Sequence, residues 1–357
     1  MNHKIYFTPG PSQIYYTVPD HLKTAVSEDV MCISHRSGAF QKIFAEARQA
    51  LRELLGVPDG YDIYFVSSAN EIWERTVQCL VEESSHHFVN GSFAKKFYQF
   101  ATDYKKNASI TKVGDGEPFT DLSVPASAEL ISVTLNETSI GFGFDMESLR
   151  SLRKNHPDKL IAVDGVSSFP AVNFDFTLAD TAYFSVQKCF GLPAGLGVWI
   201  VNQKCYDKVE KLQKNGVVTG SYHDLLQLKE IGDKNQTPET PNVLGIYLLG
   251  KVCRDMLFRS TKQIQNDTIY KSTILYQAIA QSQSITPFVA HKANQSKTVV
   301  VASCDGGNSK VLDLMAQKGW IVGKGYGSYK ENHIRIANFP VHSKEHVEAM
   351  CDLISTL

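Results

Sequence analysis

The stretch TAYFSVQKCFGLPAGLGVWIV, residues 181–201, indicates the fold, and it contains a single lysine at a position that needs an explanation. β-branched and aromatic residues at 181–186 and 197–201 predict two buried strands, and the glycines and proline between them predict a turn. Lys188 therefore stands where a strand ends. A lysine held against low-dielectric packing loses its proton more easily than one in water, and the neutral amine can attack a carbonyl carbon. Lys188 is a candidate nucleophile, and the alternative is a solvated lysine without a function.

The overall composition is typical of a soluble globular protein. The 357 residues, 43% of them hydrophobic, suffice for one large core and a smaller second one. The 36 basic residues nearly balance the 37 acidic ones, and no basic block is interleaved with aromatic residues, which argues against nucleic-acid binding. The N-terminus lacks the apolar stretch of a signal peptide, and no run is long enough to cross a membrane. We therefore expect a cytoplasmic protein without a nucleic-acid or membrane partner.

The cysteines are scattered singly along the chain. No Cys-x-x-Cys pair occurs, so the pattern favours reduced thiols over a zinc site or disulfides, and we expect no metal. Cys189 follows Lys188 directly, and a cysteine in a turn at a strand end is typically a small packed residue. The seven cysteines are Cys32, Cys79, Cys189, Cys205, Cys253, Cys304 and Cys351.

Strands and helices alternate through the first part of the chain. Apolar residues at helical spacing predict a helix from Ser37 to Gly56, and the next strand is predicted at 61–66. The small residues Ser-Ser-Ala-Asn at 67–70 connect this strand to another helix. A strand, a loop of small residues and a helix start present free backbone N–H groups, which can hold a phosphate. An ordinary helix N-cap by a loop residue explains the same pattern.

Polar residues follow each of the next predicted strands. These strands are predicted at 130–134, 160–163 and 181–186, and the polar residues after them are Asn136-Glu137-Thr138, Asp164 and Gln187-Lys188. In open α/β sheets, ligands bind beyond the carboxyl ends of the strands. We therefore expect an α/β fold with a mostly parallel sheet, in which these residues converge with the loop at 67–70 on one crevice.

The last third of the chain predicts a smaller α+β domain. The prolines in 235–241 break any helix, 242–283 is predicted as mostly helical, and strands are predicted at 297–303 and within 319–336. A closing helix follows the Ser343 cap. We divide the chain into an N-terminal arm (1–15), a large domain (16–245) and a small C-terminal domain (246–357).

One arginine interrupts the last predicted strand. Alternation along the strand places Arg335 on the opposite face from its isoleucine neighbours. A strand arginine is commonly solvated or in a surface salt bridge, but its fork of N–H donors at a domain crevice also suits a carboxylate.

A strand-end lysine, an aspartate two dozen residues earlier and a phosphate-holding helix start together suit an aldehyde cofactor with a pyridine ring and a phosphate tail. At these residues the sequence resembles the class V pyridoxal-phosphate aminotransferases, and within them the phosphoserine aminotransferase group. The resemblance spans nearly the whole chain in the family's order. The matching stretches are FTPGP (7–11), SHRS (34–37), NETSIG (136–141), VDGVSS (163–168), QKCFG (187–191) and TP (237–238).

The resemblance implies the pyridoxal-phosphate-dependent transferase fold of type I, pyridoxal 5'-phosphate as the cofactor, and a catalytic pair. Lys188 would carry the Schiff base and move the substrate's Cα proton, and Asp164 would pair with the pyridine nitrogen. Thr138 would approach the ring hydroxyl, and Phe93 would stack on the ring. From the residues alone, Asp164 can also be a helix cap, Thr138 a turn residue and Phe93 a core aromatic.

The resemblance also implies how the phosphate and the substrates are bound. Gln187 and the backbone of Ala69 and Asn70 would hold the phosphate, and Thr237 would reach it across the interface of a homodimer. For an amino acid and a 2-oxo acid as substrates, Arg335 would bind the α-carboxylate. His35 and Arg36 would line the site near the substrate's side-chain end.

Several positions depart from the group's pattern. The group's Gly-Gly-Ala before the phosphate-binding helix is Ser67-Ser68-Ala69, its ring-stacking tryptophan is Phe93, and its Asn-Thr-Pro is Gln236-Thr237-Pro238. A Gly-His-Arg motif upstream of the carboxylate arginine appears as Gly325-Tyr326-Gly327, so a cation expected for a phosphorylated substrate is missing.

The leading prediction is a transaminase for phosphoserine and 2-oxoglutarate, an activity of serine biosynthesis. One alternative is another class V enzyme, either an aminotransferase of the alanine–glyoxylate type or a cysteine desulfurase. A desulfurase needs a mobile cysteine, for which Cys304 is the candidate, and Phe93 argues against that chemistry. A second alternative is a catalytically silent scaffold, which loss of Lys188 or Asp164 would indicate; both residues are present.

Overall fold

A computed structural model describes residues 4–357 of the chain. Its strands alternate with helices over the first two thirds, as the sequence predicts. The strands are β1 (Ile5–Phe7), β2 (Tyr61–Val66), β3 (Ser84–Val89), β4 (Asn107–Lys112), β5 (Leu130–Thr134), β6 (Asn136–Glu137), β7 (Phe142–Gly143), β8 (Leu160–Asp164), β9 (Thr181–Ser185), β10 (Gly197–Asn202), β11 (Ile285–Pro287), β12 (Val299–Cys304), β13 (Trp320–Lys324) and β14 (His333–Ala337).

The helices surround the sheets, and none of them within residues 4–357 is long and apolar enough to cross a lipid bilayer. They are α1 (Val18–Ser27), α2 (Gly38–Leu55), α3 (Ala69–Leu80), α4 (Ser92–Asp103), α5 (Met146–Asn155), α6 (Gln203–Lys214), α7 (Leu225–Gly232), α8 (Val243–Arg259), α9 (Thr261–Gln281), α10 (Ser309–Gln317) and α11 (Lys344–Ser355).

The large sheet has seven strands in the order β2-β10-β9-β8-β5-β3-β4. Only β10 runs against the others, because it pairs antiparallel with both of its neighbours. The remaining strands are parallel, so their carboxyl ends meet at one edge. Strand β9 and its antiparallel successor β10 come from the stretch 181–201, and their continuous apolar runs are buried on both faces.

The predicted helix ends of α2 and α11 are confirmed at their caps. The Ser37 side chain accepts a hydrogen bond from the Phe40 amide, and Gly56 ends α2 with φ +65°, a left-handed conformation that glycine adopts without strain. The Ser343 side chain likewise accepts from the His346 amide at the start of α11. Both predictions succeed because caps depend on residues close in sequence.

The small sheet has five strands in the order β1-β13-β14-β12-β11. Strand β1 joins it by pairing parallel with β13, so the N-terminal segment is bound to the C-terminal part of the chain. The sequence places a domain boundary at residue 245, which falls inside α8. Buried residues of α8, among them Ile246 and Met256, belong to the same apolar cluster as Phe40 and Phe44 of α2. The division into domains therefore stays a prediction.

Candidate active site

A cavity lies at the carboxyl edge of the large sheet, where the sequence predicts a crevice; the space not filled by protein atoms there is about 420 Å³, part of it open to solvent. The predicted residues that line it are Ala69, Asn70, Phe93, Thr138, Asp164, Gln187 and Lys188. The structure therefore brings together residues from five separate stretches of the chain. Of the other lining residues, Asn136 belongs to the polar strand-end group that the sequence predicts at the crevice, whereas Trp73, Thr134, Val166 and Ser185 are not assigned from the sequence.

Lys188 lies buried at the floor of this cavity, just after β9, with 8% of its surface exposed. Its Nζ donates a hydrogen bond to Thr138 Oγ1 at 3.0 Å and lies 5.1 Å from the centroid of the Phe93 ring. Burial lowers the pKa of Lys188 to about 8, although the Asp164 charge opposes the shift. A substantial fraction of the amine is therefore neutral near pH 8.

Close contact with glycine shapes the space around the lysine. Gly10 has φ +143°, and a Cβ atom there would lie 3.0 Å from Lys188 Cε. This position of the FTPGP stretch therefore needs a glycine both for its backbone conformation and for the approach of the lysine stem.

Asp164 ends β8 and is 5% exposed. Burial raises the pKa of its carboxyl to about 6, while the Val166 amide, which donates to Oδ1 at 2.9 Å, and the charge of Lys188 both act to lower it. Asp164 is not a helix cap, because no helix starts at or directly after this residue. Asp164 is a buried acid whose ionised form needs a further cationic or hydrogen-bonding partner.

The loop at 67–70 connects β2 to α3 at one end of the cavity. Ser68 is the N-cap of α3, since its side chain accepts from the Glu71 amide. The Ala69 amide donates to Ser185 Oγ at 2.8 Å, so the Ser185 hydroxyl at the end of β9 lies beside the loop as a further polar group. The first amides of a helix have no intrahelical acceptor, so the loop suits an anion. Gly197 permits the arrangement, because a Cβ atom there would lie 2.7 Å from the Ser68 carbonyl carbon.

Phe93 is held in place by a carboxylate from a distant segment. Glu137 is fully buried, and its Oε2 accepts hydrogen bonds from the Phe93 and Ala94 amides at 3.0 and 2.9 Å. The carboxylate thus caps the N-terminus of α4. Gly91 leaves room for it, because a Cβ atom there would lie 2.3 Å from Glu137 Cγ. Sequence reasoning noted Glu137 only as a polar strand-end residue, since a cap 44 positions away carries no local signal.

Several buried polar atoms in and beside the cavity have no hydrogen-bond partner within the described residues. They are Trp73 Nε1 and Gln187 Oε1 on the cavity wall, and the hydroxyl of Tyr183, whose residue pairs with Asp164 between β8 and β9. Unpaired buried polar groups are uncommon and costly. A polar ligand bound in the cavity would supply hydrogen-bond partners for such atoms.

Arg335 is not one of the cavity's lining residues, but it contacts one of them. It lies on β14, where Nε donates to the Lys324 carbonyl at 2.7 Å and Nη1 to the Thr138 carbonyl at 3.4 Å. Through Arg335, the small sheet therefore contacts Thr138, whose hydroxyl accepts a hydrogen bond from Lys188. The remaining N–H donors of the guanidinium are available to an anion.

Besides Arg335, three further predicted site residues do not line the cavity: His35, Arg36 and Thr237. The Arg36 guanidinium donates to the side chain of Gln236 and to the carbonyls of Thr237 and Pro238, at 3.0, 3.0 and 3.2 Å. The Thr237 hydroxyl donates to the Glu239 carbonyl at 2.8 Å. The structure therefore joins the SHRS stretch to the segment 236–238 and keeps both outside the Lys188 cavity of the same chain.

Comparisons with known proteins identify the family to which the chain belongs. The sequence model of the family Aminotransferase class-V matches residues 111–337. A phosphoserine aminotransferase from Rhodococcus opacus (strain B4) is 27% identical, over 96% of this chain and 92% of that protein. The crystal structure of a phosphoserine aminotransferase from Cytophaga hutchinsonii is 44% identical, with a TM-score of 0.96 over 99% of this chain and 98% of the other. An alanine–glyoxylate aminotransferase from Nostoc shares the fold at 18% identity and a TM-score of 0.79.

The chain belongs to the class V aminotransferase family. It is an enzyme, a transaminase, and its substrates are an amino acid and a 2-oxo acid. The family resemblance and the predicted fold class are confirmed: the protein has the fold of the pyridoxal-phosphate-dependent aminotransferases, with a large sheet of mostly parallel strands.

Proposed function

We propose that the protein is a pyridoxal-phosphate-dependent aminotransferase that transfers the amino group of phosphoserine to 2-oxoglutarate. The observation that carries the proposal is the buried Lys188, with its lowered pKa, in one cavity with Asp164 and Phe93. The phosphoserine assignment draws its support from relatives of that name, one of them 44% identical over 99% of this chain. We further propose that the enzyme is cytoplasmic, and we keep the three-part domain division as part of the proposal.

The residues present fit this cofactor. The cavity carries the polar atoms of Trp73 and Gln187 that have no partner among the described residues. Lys188 would hold the aldehyde end, Asp164 the ring nitrogen and Phe93 the ring face. The phosphate would lie at the loop 67–70, on the Ala69 and Asn70 backbone with Gln187, and Thr138 would lie near the ring hydroxyl. When bound, pyridoxal phosphate supplies the electron sink that stabilises the charge left when a proton leaves the substrate Cα.

The proton transfer itself is assigned to Lys188. Its Nζ would take the proton from the substrate Cα, since burial keeps its pKa at about 8, close to working pH. The Thr138 hydroxyl, which accepts from Nζ and shares a hydrogen bond of 2.8 Å with Ser167, would orient the amine. Asp164 would keep a proton on the ring nitrogen, because an ionised carboxylate in this buried position favours a cationic partner.

Substrate binding is assigned to Arg335 and to a second copy of the chain. Arg335 spends two hydrogen bonds on the Lys324 and Thr138 carbonyls, and its remaining donors suit an α-carboxylate. We propose a homodimer in which Thr237, His35 and Arg36 serve the partner's site. The support is that Arg36 binds the 236–238 segment within one chain, so the two elements would reach a neighbouring site together.

Single-turnover spectroscopy tests the function. The protein loaded with pyridoxal phosphate should be yellow, and phosphoserine should bleach the visible band faster than serine or alanine does; 2-oxoglutarate should restore it. Bleaching that is faster with alanine than with phosphoserine would reduce the proposal to a class V aminotransferase with a different donor. Borohydride followed by peptide mapping should place the cofactor adduct on Lys188 and on no other lysine.

Subunit mixing tests the shared site. Lys188→Ala and Thr237→Ala chains are each expected to be impaired alone. A hybrid dimer would contain one site with both defects and one with neither, so activity should rise on mixing and subunit exchange. No rise, in a mixture whose exchange is verified with differently tagged chains, would show that Thr237 does not serve the partner.

A further inference from the structure

A cluster of two cations and two aromatic rings adjoins the Lys188 cavity, which one of the rings, Phe93, also lines. We call it the rim cluster, and it consists of Phe93, Lys96, Tyr326 and Arg335. The Lys96 ammonium donates to the Tyr326 hydroxyl at 2.9 Å and lies 5.3 Å from the Phe93 ring centroid and 5.5 Å from that of Tyr326. The Arg335 guanidinium lies 5.3 Å from the same Tyr326 ring centroid. Both cations therefore lie close to the same tyrosine ring.

The rim cluster connects directly to the reactive lysine. The centroid of the Phe93 ring is 5.1 Å from Lys188 Nζ and 5.3 Å from Lys96 Nζ, and the Phe93 and Tyr326 rings contact each other at a centroid separation of 5.3 Å. A ligand held at Lys96 is thus one ring away from the amine. Sequence reasoning did not single out Lys96, which lies one helical turn beyond Phe93 on α4.

The cations of the rim cluster have no directly paired carboxylate among the described residues, although the charge of Glu137 acts on Arg335. Within residues 4–357, neither Lys96 nor Arg335 forms an ion pair with an Asp or Glu. The nearby carboxylate of Glu137 spends its oxygens on the amides of Phe93 and Ala94 and on Ser139. Lys96 uses one of three ammonium N–H donors on Tyr326, so donors remain for a ligand. A site with unpaired positive charges attracts anions.

We propose that Lys96 is the specificity-determining cation for the distal anion of a doubly anionic substrate, with Arg335 binding the α-carboxylate. This inference rests on the proposed function. It also supplies the cation that is missing where the group's Gly-His-Arg motif appears as Gly325-Tyr326-Gly327: the Lys96 ammonium comes from α4 and is held by the Tyr326 hydroxyl. A transaminase binds its amino donor and its oxo-acid acceptor in turn at one site. The phosphate of phosphoserine and the distal carboxylate of 2-oxoglutarate would therefore both be bound by Lys96.

Lys95 provides a matched control. It is the neighbouring residue on α4 and is also exposed, but its side chain forms no hydrogen bond, ion pair or ring contact in the described part of the chain. Consecutive helical residues point about 100° apart, so Lys95 carries the same charge in a different direction. An effect of overall positive charge will appear in both Lys95→Ala and Lys96→Ala, whereas a loss of anion binding at the rim cluster will appear only in Lys96→Ala.

The test compares Lys96→Ala, Lys96→Arg and Lys95→Ala with the wild type as loaded enzymes. Half-reactions are followed with phosphoserine and 2-oxoglutarate, and with alanine and pyruvate, which lack the distal anion. For Lys96→Ala, we expect the ratio of kcat/KM for phosphoserine to that for alanine to fall at least about tenfold, mainly through KM, with a parallel fall for 2-oxoglutarate against pyruvate. Lys96→Arg should restore most of each ratio, and Lys95→Ala should match the wild type.

Equilibrium binding of glutarate, a dicarboxylate with no group to exchange, gives a readout independent of turnover; we expect at least about fivefold weaker binding by Lys96→Ala. Unchanged ratios and unchanged glutarate binding in Lys96→Ala, with a wild type that converts phosphoserine, would overturn the role of Lys96 alone. The same fall in Lys95→Ala would also overturn it, since the effect would be one of overall charge. A wild type that converts alanine but neither phosphoserine nor 2-oxoglutarate would overturn the substrate proposal and the Lys96 subsite together.

Discussion

Two clusters of ionisable groups lie near the N-terminal end of α3, and the balance between burial and charge pairing differs between them. In the His223 cluster, the ring nitrogens bond to Glu71 and, at 2.7 Å, to Glu239 Oε2. Burial lowers the pKa of His223, but the two carboxylates outweigh it and raise the pKa to about 9. In the Lys188 cavity, burial instead prevails, so the pKa of Lys188 falls to about 8 and that of Asp164 rises to about 6.

The difference separates a structural clamp from a reactive site. Glu71 also accepts hydrogen bonds from the amide and hydroxyl of Ser67. Burial alone would raise the pKa of Glu71, but the contacts with His223 and Ser67 outweigh burial and lower this pKa to about 2. The His223 cluster thus binds the loop 67–70 to the segments at 223 and 239 with its charges compensated. The Lys188 cavity leaves charges poorly compensated near neutral pH, which is the condition for moving protons.

The largest expected effect comes from removing the reactive amine. Lys188→Ala should lower transamination at least about 10⁴-fold, because no second amine lines the cavity to take its place. The thermal unfolding midpoint should stay at the wild-type value or rise, since a buried amine with a depressed pKa is removed. Activity is measured by single turnover with phosphoserine and alanine, and normal rates would refute the contrast between the two clusters.

Asp164→Asn should have the next largest effect. The amide keeps the size of the side chain but cannot hold a proton on a pyridine nitrogen by ionic pairing, so we expect retained cofactor and roughly a hundredfold slower turnover. Cofactor content is measured by absorbance after denaturation, and rates by stopped flow. Asp175→Asn, at a surface turn, is the control for a general charge change. Equal rates for the two variants would mean that Asp164 only supports the backbone.

His223→Gln should affect stability more than chemistry. Glutamine retains hydrogen bonding but not the charge, so Glu71 and Glu239 would lose the cation between them, and among the described residues only the Arg75 guanidinium, with Nε 4.0 Å from Glu71 Oε1, would remain. Their side chains are 13% and 21% exposed, which lets water relieve part of the cost, and we expect a loss of about 2 kcal/mol in the free energy of unfolding near pH 6. Denaturant titration measures it.

The pH dependence of that loss sharpens the comparison. The pKa of folded His223 is about 9, above its ordinary 6.5, so its stabilisation is complete below pH 6.5 and is lost as the pH rises through 9. The pKa of folded Glu71 is about 2, below its ordinary 4.5, so its contribution is complete above pH 4.5 and is lost as the pH falls towards 2. The difference between wild type and His223→Gln should therefore peak between pH 4.5 and 6.5. A difference that is constant from pH 5 to pH 10 would contradict this.

The smallest effect is expected at an exposed ion pair. Arg254 of α8 pairs with Glu53 of α2, with side chains 47% and 40% exposed. Solvent screens such pairs, so Glu53→Gln should change the free energy of unfolding by less than about 1 kcal/mol, and by less still in high salt. A loss as large as that of His223→Gln, measured by the same titration, would show that burial is not what distinguishes the His223 cluster.

The sequence allows prediction of features whose cause is local or periodic. The caps at Ser37 and Ser343 and the strand–turn–strand unit at 181–201 each depend on residues close in the chain. Convergence of Asp164 and Lys188 was also predictable, because parallel strands share their carboxyl edge. By contrast, the cap that Glu137 gives α4 joins residues with no shared pattern.

What the sequence alone determined is the fold class, the order of elements and the candidates at the strand ends, since hydrophobic periodicity, glycine turns and motif spacing are properties of neighbouring residues. Only the tertiary structure decided how charges are compensated. Whether Lys96 faces Tyr326, and whether His223 meets Glu71 and Glu239, depends on contacts across 230, 152 and 16 positions. Burial and pairing set the pKa values of these groups, and both arise only when distant segments pack together.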